Sequence, residues 1–453
     1  MPGHLTSSRL RLPRLRHPSQ FVVAGFAAAV AVGTALLVLP VSRSGVEGAS
    51  LVDGLFTATS AVCVTGLVTV DTPVYWSGFG QAVLLGLIQV GGFGIMALAT
   101  LLTLLVSDRL GLRNRLNAAA ESKSLGLSDA RGVLLRVLRT SLLLEAVGAA
   151  VLTARWWAGG DEPFLRALWL GVFHAVSAFN NAGFALYSDS LIGFATDPVV
   201  SGTVCVLVVA GGLGSPVLFE LRRAWRRPRR WTLHTKIVLV MTMVLLVLGS
   251  GMFLVLEWTN PDTLGPLSVT GKLVAGVFQG VQPRTAGFNS VDTGALNAET
   301  LLGTDVLMFI GGGSAGTAGG IKVTTFAVLL FVILSEVRGD DSPAAFGRRL
   351  PREAQRQALT VALLPVAVVV GATGLLLVDT DFTLDRVLFE AISAFSTVGL
   401  STGITADLST EGQLLLAALM FLGRLGPITL ASALALRSRP RLYELPQERP
   451  IIG

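Results

Sequence analysis

Eight apolar runs, each long enough to cross a bilayer, constrain this 453-residue chain more than any single motif. A hydrocarbon core of about 30 Å needs roughly 20 mostly apolar residues per helix. Such runs occupy 20–40, 78–106, 131–156, 197–221, 235–257, 300–334, 357–378 and 411–436. Composition agrees, with 52% hydrophobic and only 14% charged residues, where soluble domains carry about 25% charged. This balance excludes a disordered chain and an ordinary soluble enzyme. The formal charge of +6 does not point to nucleic acid, because the arginines fall between the apolar runs, which is a topology signal. The chain reads as an all-α polytopic membrane protein, surrounded by lipid. The first run has no small-residue cleavage site and is expected to be retained. Two cysteines and four scattered histidines build neither a disulfide framework nor a metal site.

Basic residues cluster at 9–16, 109–139, 222–236, 338–356 and 437–449, on alternate sides of the series of spans. By the positive-inside rule these segments and both termini are cytoplasmic. The opposite loops carry Asp53, Asp71, Asp161, Glu162, Asp262, Asp292, Asp379 and Asp381.

Shorter apolar stretches at 51–64, 164–180, 267–281 and 384–396 are too short to cross and read as re-entrant half-helices. Buried connecting helices are the plainer alternative. Each stretch runs into a glycine turn: Val64-Thr65-Gly66, Asn181-Ala182-Gly183, Thr285-Ala286-Gly287 and Thr397-Val398-Gly399. Six residues before the glycine stand Ser60, Ser177 and Ser393, and ten before stand Phe56, Phe173 and Phe389. The third copy departs, with Val281 and Val277 at those places. A second marker follows 24 to 28 residues after each glycine, at Gly91–Gly94, Gly211–Gly214, Gly311–Gly313 and Gly423–Gly426.

Two markers at matched offsets, four times over, define internal repeats. They divide the chain into a cytoplasmic segment 1–19, repeats at 20–107, 131–221, 235–336 and 357–437, and a cytoplasmic tail 438–453. Each repeat reads span, pore helix, glycine turn, span, so the four copies run parallel around an axis along the membrane normal. They form a pseudo-fourfold M1-P-M2 array, with eight crossing helices and four re-entrant ones around one central pore. Non-helical backbone at membrane depth needs cover from protein or water. Glycine permits positive φ, which turns successive carbonyls toward a common axis, and such oxygens can replace the hydration shell of an alkali cation. Thr65, Asn181, Thr285 and Thr397 are placed to support the ring near one level. Glycines that merely allow close helix packing are the competing reading.

At these turns, and at Gly311 to Lys322, the chain resembles the Trk/Ktr/HKT superfamily of potassium-uptake membrane subunits. One span before the first turn makes it more similar to KtrB-type subunits than to TrkH-type ones. The resemblance implies a K+-conducting subunit of the bacterial plasma membrane, commonly a homodimer, regulated by a cytosolic nucleotide-binding ring. It implies K+ at Val64, Thr65, Gly66, Asn181, Ala182, Gly183, Thr285, Ala286, Gly287, Thr397, Val398 and Gly399, with no covalent cofactor. One glycine per repeat leaves few ion sites in series, so weak discrimination against Na+ is expected.

Six glycines among Gly311, Gly312, Gly313, Ser314, Ala315, Gly316, Thr317, Ala318, Gly319 and Gly320 should unwind the sixth span. Each costs about 1 kcal/mol against Ala in a helix interior. We expect a gating loop there, ending at Lys322; a passive hinge is the alternative. Arg424, about midway along the last span, is expected to face the pore and hydrogen-bond this loop. The alternative is a packing arginine paired with Glu220 or Glu390. A Na+- or H+-coupled secondary transporter is the rival function, and carriers hold acidic or histidine relays in the membrane. The candidates are Glu145, His174, Glu220 and Glu390. His174 and Glu390, both nine before their glycines, are expected to support the turns, while Glu145 and Glu220 are expected to pair with local arginines. No Ser/His or metal constellation suggests an enzyme. The basic loops 109–139 and 222–236 are candidate docking surfaces for a cytosolic partner, or simply topological charge.

Overall fold

The computed structural model describes residues 18–45, 50–109, 127–340 and 342–426. Four expectations fall outside the described residues: the N-terminal segment up to residue 17, the basic loop over 110–126, the end of the last span from residue 427, and the tail 438–453.

The chain is helical in four successive groups. The first holds α1 (Pro18–Leu37), α2 (Leu51–Cys63), a single turn α3 (Thr72–Tyr75) and α4 (Gly78–Arg109). The second holds α5 (Leu127–Ala158), α6 (Phe164–Phe179), α7 (Pro198–Leu213) and α8 (Ser215–Ala224). The third holds α9 (Leu233–Leu256), α10 (Val269–Val281), α11 (Ala298–Phe309) and α12 (Val323–Arg338). After a two-residue antiparallel hairpin, β1 (Ala344–Ala345) with β2 (Arg348–Arg349), the fourth holds α13 (Arg352–Asp379), α14 (Leu384–Ser396) and α15 (Thr410–Leu425). Several starts are written in the sequence as caps. Ser50, Thr232, Ser268 and Ser409 accept from the backbone N–H three residues on, and Asp197 accepts from Val199 and Val200. Such a cap contributes about 1 kcal/mol by satisfying an orphan donor.

Among the described residues, three helices are long and apolar enough to cross a membrane alone: Gly132–Ala158, Leu233–Leu256 and Arg352–Asp379. On α9, Val240, Met243, Val244, Val247 and Leu248 point outward, an apolar face suited to lipid. The expected span at 197–221 is not one helix. It stops at Leu213, and α8 leaves at an angle of 100°. Gly214 takes φ 88° at the corner, and Pro216, which has no N–H, opens the new helix. The expected span at 300–334 is likewise two helices, with non-helical chain between Phe309 and Val323.

The packing closes on itself. In each group the first helix packs on the short one: α1 on α2, α5 on α6, α9 on α10, α13 on α14. Each short helix also packs on a helix of the preceding group: α6 on α4, α10 on α7, α14 on α11, and α2 on α15. The last of these contacts joins the first helix group to the fourth and completes a cycle.

Candidate functional site

The four short helices end in the same turn. Val64, Asn181, Thr285 and Thr397 adopt left-handed backbone (φ 56°, 60°, 66° and 50°), and two residues later Gly66, Gly183, Gly287 and Gly399 are again at positive φ. Holding four non-glycine residues left-handed costs about 1–3 kcal/mol each, so the surroundings must impose it. One correction follows for the expected support level. Val64, not Thr65, shares the left-handed position with Asn181, Thr285 and Thr397; Thr65 stands one residue further along.

The serine markers explain how the turn is held. The N–H groups of Thr65, Ala182 and Val398 donate to the carbonyls of Ser60, Ser177 and Ser393 at 2.7–2.9 Å. The next N–H, of Gly66 and of Gly399, donates to the hydroxyls of Ser60 and Ser393 at 3.0 and 3.1 Å. In the second turn the Ser177 hydroxyl instead donates to the Phe184 carbonyl at 2.8 Å. The third copy keeps the scheme one residue later. Gln282 takes the serine's place, accepting from Ala286 N–H at 3.0 Å and, through its side chain, from Phe288 N–H at 3.2 Å. Phe278 likewise replaces the expected aromatic position: it is 1% exposed, whereas Val277 is 45% exposed. The departure of Val277 and Val281 is therefore a one-residue shift of register, not a lost contact.

The turns meet one another in a ring. A Cβ on Gly66 would lie 2.5 Å from the Ala182 carbonyl oxygen, and one on Gly183 would lie 2.9 Å from that of Ala286. On Gly287 it would overlap the Val398 oxygen, and on Gly399 the Thr65 oxygen. Only glycine fits at such an approach. Among the described residues, nothing donates a hydrogen bond to the carbonyls of Val64, Thr65 and Gly66 or of their counterparts in the other three turns. On one side a cavity of about 440 Å³ is lined by Gly66, Gly183, Gly287 and Gly399, with Asp71, Asp189 and Asp292 around it. Tyr187 also lines it; burial first, and then the Glu162 charge, raise its phenol above the ordinary tyrosine value.

The second marker has a separate role. Gly91, Gly211 and Gly423 press against the Val62, Phe179 and Phe395 carbonyls at the ends of α2, α6 and α14, with no room for a Cβ. For these glycines the close-packing reading is right.

The chain from Ile310 to Lys322 folds across this assembly. Its backbone donors find partners on other elements: Gly313 N–H reaches the Gly212 carbonyl at 2.8 Å, and Thr317 N–H that of Gly211 at 3.1 Å. These carbonyls are free because α7 ends there. Gly311 N–H pairs with the Ile321 carbonyl at 2.8 Å and Val323 N–H with that of Gly312 at 3.0 Å. Ser314 shares a 3.0 Å hydrogen bond with Thr324, and Ala315 (φ 61°) accepts from Ser215 N–H at 3.3 Å. Gly316 packs on the Gly211 and Gly212 carbonyls, Gly319 on Thr397, Gly320 takes φ 63°, and the Lys322 ammonium donates to the Ala318 carbonyl.

Arg424 is 4% exposed. Its guanidinium donates to the Thr317 carbonyl and, at 3.2 Å, to that of Gly91. Neither expected acid reaches it. Glu390 accepts from Ser401, Thr405 and the N–H of Thr402 at 2.5–3.0 Å. Glu220 accepts from Thr232 and Thr235, not from the neighbouring arginines. Glu145 also departs from its expected arginine partner. It accepts from Asn180 at 3.1 Å and Gln89 at 3.3 Å, directly behind the second turn. His174 and Glu390 brace the chain leaving their turns: Leu186 N–H donates to His174 Nε2 at 3.2 Å, as Thr402 N–H does to Glu390. The sequence pattern does not single out two further buried groups. Arg284, beside the third turn, donates to the Gly311 carbonyl at 3.1 Å, and Asp305 is 5% exposed in α11. For Asp305 the available signal is a charge inside the apolar run 300–334.

Residues 2–440 match the TrkH family, described as cation transport protein. The chain belongs to the TrkH family. Among similar members, Ktr system potassium uptake protein B of Vibrio alginolyticus is 40% identical over 92% of this chain and 91% of its own length. The protein of the same name from Bacillus subtilis is 38% identical over 92% and 93%. The potassium/sodium uptake protein NtpJ of Enterococcus hirae is 35% identical over 99% and 100%. The fold is that of the potassium transporter TrkH from Vibrio parahaemolyticus, with a TM-score of 0.74 at 17% identity, covering 94% of this chain and 87% of that one. These relatives are transport proteins by name.

Proposed function

We propose that this chain is a potassium-uptake pore of the bacterial plasma membrane. The observation that carries the reading is the ring of four left-handed glycine turns, each abutting a neighbour's carbonyl, with carbonyls that take no hydrogen bond from any described residue. In this reading those carbonyls stand in for the hydration shell of K+. The four short helices aim their C-terminal ends at the same place and add partial negative charge. The residues from Val64 to Gly66, Asn181 to Gly183, Thr285 to Gly287 and Thr397 to Gly399 are the filter. The helix groups are four parallel repeats with pseudo-fourfold symmetry, in eight crossings with both termini cytoplasmic; the closed cycle of helix contacts supports this arrangement. Gly311 to Gly320, with Lys322 and Arg424, form the gate beneath. K+ uptake by the two Ktr relatives supports the choice of ion, and the name of the enterococcal relative supports Na+ as a second permeant ion. A second copy of the chain and a cytosolic nucleotide-binding ring complete the assembly.

The test is ion flux through the purified chain in liposomes, comparing K+, Rb+ and Na+. The pore reading expects K+ and Rb+ to move down their own gradients with the voltage, without a sodium or proton gradient, and faster than Na+. Flux that requires such a gradient would replace the pore by a coupled carrier.

A further inference from the structure

The loop from Ile310 to Lys322 does more than lie near the turns. It is bonded into the second and third of them. The Thr317 hydroxyl, fully buried, lies 2.9 Å from Asn181 Oδ1 and 3.2 Å from the Phe179 carbonyl, and the shorter contact is to the turn residue. Asn181 in turn donates through Nδ2 to the Arg284 carbonyl at 3.3 Å. The Arg284 guanidinium then returns to the loop at Gly311. These contacts form a closed circuit from the middle of the loop, through both turns, to the start of the loop.

The equivalent positions elsewhere are not tied this way. Among the described residues the hydroxyls of Thr285 and Thr397, at the same left-handed place as Asn181, are buried without a hydrogen-bond partner, and the Val64 side chain has no polar atom to offer. Asn181 alone of the four carries an amide, and its oxygen meets the loop hydroxyl. The contact depends on Gly211, where a Cβ would sit 2.8 Å from Thr317 Oγ1 and 3.0 Å from Asn181 Oδ1. A left-handed Asn is held in place by what its side chain bonds. When the loop shifts, that anchor goes with it.

We infer that Thr317 is a positioning residue for selectivity: its hydroxyl holds Asn181, and with it the second turn, so that displacing the loop changes which cation passes as well as how fast. This rests on the filter-and-gate reading above. A gate that only obstructs would change flux alone. A coupled gate changes the permeability ratio.

The experiment compares Thr317→Val, which keeps the shape and removes the donor, with Thr317→Ser, which keeps the donor, using the full chain in liposomes. The readouts are total Rb+ flux and the K+/Na+ permeability ratio from reversal potentials. Losing one neutral hydrogen bond corresponds to about a fivefold change in an equilibrium. The ratio is therefore expected to fall about fivefold in Thr317→Val and to stay near the parent value in Thr317→Ser. Should Thr317→Val fail to fold, Thr317→Ala, which only deletes atoms, carries the same comparison. A folded Val or Ala variant with altered flux and an unchanged ratio overturns the coupling and leaves the pore intact. A parent chain with no K+ preference overturns the filter reading itself.

Discussion

The glycine turns and the loop from Ile310 to Lys322 are both buried, non-helical and rich in glycine, yet they are held in opposite ways. Each turn is fastened to its own helix by a bond spanning four or five residues, such as Thr65 N–H to the Ser60 carbonyl. The loop is fastened largely to other elements: α7 at Gly211 and Gly212, α15 at Arg424, and the third turn at Arg284. Local bonds form with the helix and persist while it does. Distant bonds depend on where their partners stand. The backbone of the turns is therefore built to stay, with the Asn181 side chain of the second turn also tied to the loop, and the loop is built to be released if α7 or α15 moves. The largest test of this contrast lies in the turns. In Gly183→Ser a side chain would meet φ 69° and lie 2.9 Å from the Ala286 carbonyl, displacing that oxygen. The K+/Na+ permeability ratio should fall by about tenfold or more, the equivalent of 1.4 kcal/mol. A folded variant with the parent ratio would break the ring reading at that position.

The loop should respond differently. Deleting Ser314 and Ala315 while keeping Lys322 in register with α12 removes the segment that bonds Ser215 and Thr324. Basal Rb+ flux should rise several-fold while the protein stays folded. Unchanged or lower flux would make the segment a passive hinge and erase the distinction between the two regions.

Arg424 sharpens the same contrast from the fourth group. Each charge-assisted hydrogen bond is worth roughly 1.5–3 kcal/mol, and the guanidinium makes two, to a loop carbonyl and to α4. Arg424→Ala should raise cation flux. Arg424→Lys keeps the charge and should conduct nearly as the parent does. Equal conduction by all three would reduce Arg424 to scaffold.

What could be read from the residues follows from how local the interaction is. The four turns were legible because their bonds lie within a few residues, so serine, phenylalanine and glycine recur at fixed offsets. The break after Phe309 was legible because glycine accumulates there. The corner at Gly214 lies inside an apolar run and so reads as part of a span, although Gly214 followed by Ser215-Pro216 carries the signal of a stop and a new start. The third repeat looked irregular because offsets were counted from its glycine, whereas its contacts are shifted by one residue at Pro283. Glu145 reads as a partner of local arginines because its actual partners, Gln89 and Asn180, lie on α4 and at the end of α6, far along the chain. Contacts between groups leave no periodic trace.

The smallest effect concerns the corner that releases the loop's partners. Glu220, at the end of α8, accepts from Thr232 N–H at 2.7 Å, from the Thr232 hydroxyl at 2.8 Å and from the Thr235 hydroxyl at 2.5 Å. It thereby clamps α8 to the cap of α9. Partial burial raises its carboxyl, but the Thr235 and Thr232 hydrogen bonds and the nearby His234 outweigh that and leave it below the ordinary glutamate value. A carboxyl depressed in the folded state contributes stability that is fully present above its unfolded value and is lost as pH falls through the folded value. The Thr232 amide should therefore exchange slowly near neutral pH and faster in acid. Glu220→Gln should exchange quickly at both, because its amide cannot serve all three donors as a carboxylate does. If the parent's exchange, corrected for its intrinsic pH dependence, is the same across that range, the carboxylate does not hold the corner. The bend would then rest on Gly214 and Pro216 alone.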